Sequence, residues 1–250
     1  MRLVIAFVIL GLALAVLALG LARAATGAWW LLVGLEADLA ACFLALAGLY
    51  AARWAGFAAE DLVDRPRWSP LVRAALLPYL GLAKVTLAVT RRVDREEPMN
   101  GLVPGLFIGR LPVRSERGRL AEAGIASVLN LCWEFPGRSG DAGMPGLATA
   151  VVPILDGAPP SSRQFREAVD RVERWRAEGR TVLIHCAQGH GRTATVAAAV
   201  LCRLGLASDA AAALARIRAV RPRARPSQVQ REALERYLAS NPGRPDSRNP

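Results

Sequence analysis

IHCAQGHGRTAT, residues 184–195, is the stretch on which the reading of this chain turns. Cys186 and Arg192 bracket five residues, and Thr193 follows the arginine at once. Val182, Leu183 and Ile184 come before it with strand propensity, and an alanine-rich apolar run comes after. The layout predicts a strand, a tight loop and a helix, with the loop at the helix N-terminus. Amides without helical partners collect in such a loop and the helix dipole adds positive potential, so an oxyanion is favoured there. Arg192 can hold two oxygens of that anion with its planar fork, and the same field favours a thiolate at Cys186. Gly189 and Gly191 let the backbone turn and approach a ligand closely.

Outward from the loop, the chain alternates strands and helices. Strands are expected at Leu106–Gly109, Ala126–Leu131, Ala150–Leu155 and Thr181–His185. An amphipathic helix is expected over 161–178, capped by Ser161 or Ser162, with Phe165, Val169, Val172 and Trp175 on its buried face and Gly179 at its end. The helix after the loop, 191–204, is too apolar for a surface position and reads as the central buried one. Two more are expected at 208–220 and 227–240, with Ser208 and Ser227 as caps. Residues 91–103 read as a charged linker, and 136–148 as a glycine- and proline-rich loop in which Arg138 either meets substrate or, as the simpler reading, is a solvated side chain. This pattern gives an α/β class with a central, largely parallel sheet flanked by helices, whose ligand sits at the carboxyl ends of the strands, where Cys186 falls.

HCAQGHGRT resembles the His-Cys-x5-Arg-Ser/Thr signature of the cysteine-dependent protein tyrosine phosphatase superfamily. PGLFIGRLP (104–112), GIASVLNLCWE (124–134), PILDGAPPS (153–161) and IRAVRPRARPS (217–227) are similar, in that order, to segments of its dual-specificity branch, so the resemblance covers 103–240. It implies a phosphatase fold and phosphate-monoester hydrolysis with Cys186 as nucleophile. Ala187, Gln188, Gly189, His190, Gly191 and Arg192 would bind the phosphoryl group, and Thr193 would donate a hydrogen bond to the sulfur. Asp156, thirty residues before the cysteine, lies where the resemblance places a general acid. Its plain alternative is a turn aspartate capping the next helix. His185 is expected to fix the loop, and the side chain of His190 faces either substrate or solvent. A phosphate-binding protein without activity would be expected to lack Cys186, Arg192 or Asp156, and all three are present.

The 250 residues carry a formal net charge of +11, with a single lysine, Lys84. Within 201–250, ten arginines face four acids. That surplus suits an anionic membrane surface or an anionic substrate, and no aromatic-interleaved basic surface points to nucleic acid. No two cysteines have zinc-ligand spacing and the histidines are His185 and His190, so neither a metal site nor a cofactor is expected. Of Cys42, Cys132, Cys186 and Cys202, Cys132 could protect Cys186 as a disulfide, but a space-filling role in its strand is the simpler reading.

The first 54 residues read as a membrane anchor. Leu3 to Ala22 is free of charge and long enough to cross a bilayer. Trp29 to Ala52 is a second span flanked by Trp29, Trp30 and Tyr50, with Glu36 and Asp38 inside it. A cleaved signal ending near Ala22-Arg23-Ala24 is the alternative reading of the first run. Arg53, Arg65, Arg67 and Arg73 follow the second run while the turn carries Arg23 alone, which puts the remainder in the cytoplasm. Residues 55–102 are a juxtamembrane segment, in which the apolar run 71–90 is expected to lie at the membrane surface or against the domain, and 241–250 are a tail. The expected substrate is a phosphoprotein, with a phospholipid head group as the alternative.

Overall fold

The computed structural model describes residues 2–54, 76–94, 96–135 and 146–241. The chain divides into two compact units, Met1–Val89 and Thr90–Pro250.

In the first unit, α1 (Arg2–Ala22) and α2 (Trp29–Trp54) pack against each other. Phe7 stacks on Phe43 with ring centroids 5.8 Å apart and meets Tyr50 at 5.6 Å. Gly11 sits so close to Leu44 that a Cβ there would lie 2.8 Å from its Cγ, so the glycine lets the two helices approach. Both helices are long and apolar enough to cross a bilayer. Ile9, Val16, Leu19 and Leu31 are exposed on them. A third helix, α3 (Leu77–Val93), runs on past the expected end at Thr90 to include Arg91 and Arg92. Residues 71–75 lie outside the described residues.

The second unit is built on a five-stranded sheet. Its strands are β1 (Met99–Val103), β2 (Leu106–Arg110), β3 (Ile125–Cys132), β4 (Ala148–Ile154) and β5 (Thr181–Cys186), in the order β1-β2-β5-β3-β4. Only the β1–β2 pair is antiparallel. The expected linker 91–103 is therefore a helix end and an edge strand. MNGLV gave no strand signal because Asn100 and Gly101 interrupt any apolar alternation. The other four strands lie where the sequence placed them, each within two residues at its ends.

Helix α4 (Arg117–Glu122) covers one face, where Leu120 packs with Ile125, Val128 and Leu183. Side chains alternate along a strand, so Val182, Ile184 and Cys186 face the other layer, formed by α5 (Ser162–Ala177), α6 (Arg192–Arg203), α7 (Ala210–Val220) and α8 (Gln228–Ser240). Helix α6 is buried from Arg192 through Cys202, as its composition predicted. Helix α5 buries the expected Phe165, Val169, Val172 and Trp175. Its Ser161 cap is reciprocated by Gln164, whose Oε1 accepts the Ser161 amide at 2.9 Å. Phe165 stacks on Tyr237 of α8 at 4.7 Å. The cap of α7 is Asp209 rather than Ser208: its carboxylate accepts the Ala212 amide at 2.8 Å, while the Ser208 hydroxyl donates to Asp209. A charged acceptor beside the helix dipole displaces a hydroxyl from that role. Residues 136–145, with Arg138, and 242–250 fall outside the described residues.

Candidate functional site

Cys186 ends β5 in the middle of the sheet, and Arg192 opens α6. The loop between them must turn within five residues. Gly189 does so with φ +80°, and a Cβ there would sit 2.5 Å from the carbonyl oxygen of Gly109. The position tolerates glycine alone on both counts. The Leu111 amide donates to Ala187 O at 3.2 Å, tying the end of β2 to the loop. The Cys186 thiol is buried, and the Gly189 amide donates to its Sγ at 3.2 Å. A backbone donor on sulfur stabilises negative charge there.

Arg192 departs from the sequence expectation. Both of its terminal nitrogens are already engaged: Nη1 donates to Glu134 Oε2 at 2.8 Å and to Ile154 O at 2.9 Å, and Nη2 donates to Glu134 Oε1 at 2.6 Å. The fork is held by protein because an arginine exposed by 1% needs a buried counter-charge, and Glu134, exposed by 4%, supplies it. Burial alone would lower the Arg192 pKa, but Glu134 and Asp156 outweigh it and hold the guanidinium well above its usual value. Nε is buried and has no hydrogen-bond partner, so it is the one guanidinium nitrogen that remains an unused donor.

Glu134 was missed in the sequence. It is carried by the turn after β3, which Asn130 shapes: its amide donates to Phe135 O at 2.8 Å and its carbonyl accepts from the Cys132 amide at 2.8 Å. Asp156 follows β4 with an exposed side chain whose Oδ1 lies 3.0 Å from Arg192 Nη2. The structure thus brings Cys186, Arg192 and Asp156 into one site, with Asp156 paired to the arginine.

Two expectations are corrected. The Thr193 hydroxyl is buried without a hydrogen-bond partner, so it does not donate to Cys186. His190 turns its side chain away from any role as a free loop group: Nε2 lies 2.8 Å from Glu96 Oε2 and 3.8 Å from Asp94 Oδ2. These acids, just past α3, capture an imidazole that would otherwise face substrate or water. Asp94, Glu96 and His190 together have the spacing of metal ligands, but Arg223 and Arg221 also neutralise the two carboxylates. His185 fixes the loop as expected, its Nδ1 3.3 Å from Cys186 O. Burial lowers its pKa to about 4, which keeps the ring neutral. Cys132 is a free thiol, and burial first, then Glu134, raises its pKa well above the usual range.

Arg221, also unforeseen, is fully buried behind the loop. Its Nε donates to Gly189 O at 3.1 Å and Nη2 to Gln188 O at 2.9 Å, while Nη1 donates to Glu97 O and Asn100 Oδ1. It lay within the quoted stretch 217–227, but among the ten arginines of residues 201–250 nothing in the pattern marks one as buried.

The profile of a family described as "PTP-SAK: Swiss Army Knife protein, DSP-PTPase phosphatase domain" matches residues 98–241. Dual specificity protein phosphatase 12 of Mus musculus is 36% identical over 102 residues, which make up 39% of this chain and 29% of that protein. The chain thus spans less than a third of that curated relative. The crystal structure of human DUSP28 superposes with a TM-score of 0.51 at 25% identity, covering 58% of this chain and 95% of that one. A mouse dual specificity phosphatase complexed with zinc tungstate gives 0.51 at 26% identity, covering 59% and 92%.

Proposed function

Since the chain belongs to the DSP-PTPase phosphatase-domain family, we propose that it is a phosphoric monoester hydrolase working through a phospho-cysteine intermediate on Cys186. The observation that carries this reading is the Cys186 thiol accepting a loop amide beside a buried arginine with one free donor.

In the first step the Cys186 sulfur attacks phosphorus, a P–S bond forms and the ester P–O bond breaks. Loop amides 187–192 and Arg192 Nε take up the charge on the equatorial oxygens, while Glu134 keeps the guanidinium plane in place. Asp156 gives its proton to the leaving oxygen. For this it must leave Arg192, to which it is paired at 3.0 Å, and its exposed position permits the exchange. The incoming phosphate is the anion that replaces it. In the second step water attacks the phospho-cysteine, Asp156 takes the water proton, and the P–S bond breaks to return the thiolate and inorganic phosphate.

The proposed substrate is a phosphoprotein, in keeping with the protein phosphatase relatives that match the domain. The proposed organisation is a membrane anchor over 1–54 and a catalytic domain over 103–240, which β1 and the family match extend back to about 98. Helices α1 and α2 would form a helical hairpin that leaves the catalytic unit in the cytoplasm, a reading supported by the arginines that follow α2. Tethering would make membrane-associated phosphoproteins and lipids its most concentrated targets.

The purified chain should hydrolyse an aryl phosphate in EDTA and be inhibited by vanadate; loss of turnover with chelator would reject the mechanism. Phosphopeptides should outpace phospholipid vesicles in the same assay, and the reverse order would assign the site to lipids. A reporter cysteine near Gly243 should resist an impermeant label added outside intact cells; labelling would overturn the topology.

A further inference from the structure

Asp94, Glu96 and Glu97 lie between the end of α3 and β1, and the reaction proposed above assigns them nothing. In the structure they hold the signature loop. The peptide unit joining Gln188 to Gly189 is gripped at both ends: its N–H donates to Cys186 Sγ at 3.2 Å and its carbonyl accepts Arg221 Nη2 at 2.9 Å. A trans peptide points these groups in opposite directions, so Arg221 lies on the side of the loop away from the thiol. Arg221 also takes the next carbonyl, Gly189 O, at 3.1 Å. Holding both carbonyls on that side keeps the neighbouring amides turned toward the thiol.

A fully buried guanidinium requires a counter-charge, and Glu96 Oε2 stands 3.4 Å from Arg221 Nη2. The same oxygen lies 2.8 Å from His190 Nε2, the one loop side chain with an ionic partner on this segment among the described residues. Glu96 Oε1 accepts the Arg223 amide at 2.9 Å, which fixes the chain beyond α7. Asp94 braces the group by pairing with Arg223 at 2.9 Å and facing His190 at 3.8 Å. One carboxylate therefore ties together a loop side chain, the arginine that holds the loop carbonyls, and the strand of chain that delivers that arginine.

We propose that Glu96 is a positioning residue of the phosphatase site: its carboxylate fixes His190 and Arg221, and through them the orientation of the amides that receive the transferring phosphoryl group. The inference rests on the reading of the 186–192 loop as that phosphate cradle. Glu96 touches neither the thiol nor the substrate. Its effect should fall on the transition state, whose bipyramidal oxygens demand the amides in place, more than on tetrahedral phosphate.

The test uses the full chain with Glu96→Gln, His190→Gln and the double variant. The readouts are turnover of an aryl phosphate and inhibition by vanadate and by inorganic phosphate, well below the melting temperature. Glu96→Gln should lower kcat and raise the vanadate Ki about tenfold, while KM and the phosphate Ki move by less than about threefold. The double variant should be little worse than Glu96→Gln alone, since both act through one linkage. A protein that merely lost stability would change none of these constants at low temperature. Vanadate inhibition and turnover within about twofold of the unsubstituted chain would overturn the proposal. If Glu96→Gln does not fold, His190→Gln, altered at a partly exposed side chain, must show the same split between vanadate and phosphate, and an unchanged vanadate Ki there would overturn it equally. If the unsubstituted chain turns over no aryl phosphate, the phosphatase reading fails. Binding of vanadate to the variants, followed by protection of Cys186 from alkylation, then still decides whether Glu96 positions the loop.

Discussion

Glu134→Gln removes the negative charge that faces Arg192 and leaves the size of the side chain unchanged. In the structure the carboxylate accepts from both terminal nitrogens, at 2.8 and 2.6 Å, and both side chains are almost fully buried. The amide keeps one acceptor and turns its NH2 toward an arginine donor, so one hydrogen bond is lost and two donors oppose each other. Removing one partner of a buried pair costs about 3–5 kcal/mol. Asp156 remains 3.0 Å away and still offsets part of the arginine charge, even though water screens its 69% exposed side chain, so the lower end, about 3 kcal/mol, is expected. For a unit of this size about 1 kcal/mol moves the melting temperature by roughly 2–4 °C, so the variant should melt about 6–12 °C lower. Turnover should fall as well, because Asp156 becomes the main counter-ion of Arg192 and leaves it less readily. Thermal unfolding in detergent followed by fluorescence, together with aryl phosphate turnover, measures both. A melting temperature within about 2 °C of the unsubstituted chain, with normal turnover, would refute the role assigned to Glu134.

His185 is held neutral, with a folded pKa of about 4 against an ordinary value of 6.5. The unfolded chain binds the extra proton, so stability should fall as pH drops from about 6.5 toward 4, by up to about 3 kcal/mol, and His185→Gln should flatten that part of the curve. An unchanged acid slope in urea unfolding would contradict this. Gly189→Ala combines a positive φ with a Cβ 2.5 Å from Gly109 O, so it should displace the loop and cut turnover by roughly a hundredfold. Turnover within about threefold would show that the loop geometry is not required. Asp156→Asn should lower kcat about 10²–10⁴-fold on esters with poor leaving groups and much less on an activated phenol. Equal losses on both would give Asp156 a structural role.

The parts of the fold that could be read in the sequence share one property: their signals are local. The apolar stripe of Phe165, Val169, Val172 and Trp175 announced a helix, and the apolar content of 191–204 announced that it would be buried. Strand β1 escaped because an edge strand pairing on one side needs no apolar alternation. The candidate site divides in the same way. Cys186, Arg192 and Asp156 carry their chemistry in short segments, whereas Glu134 and Glu96 act through partners 58 and 94 positions away. Either acid read alone looks like a solvated surface group. The orientations of Thr193 and His190 depended on which neighbours the fold delivered, and the acids beyond α3 decided His190.

The most direct test of the account is to catch the covalent intermediate. The full chain carrying Asp156→Asn, which should slow the second step as well as the first, is mixed with an activated aryl phosphate, quenched during turnover, digested and examined by mass spectrometry. The account predicts a phosphoryl adduct on the peptide containing Cys186, absent when Cys186→Ser is introduced alongside. An adduct on another residue, or continued turnover by Cys186→Ser, would contradict it.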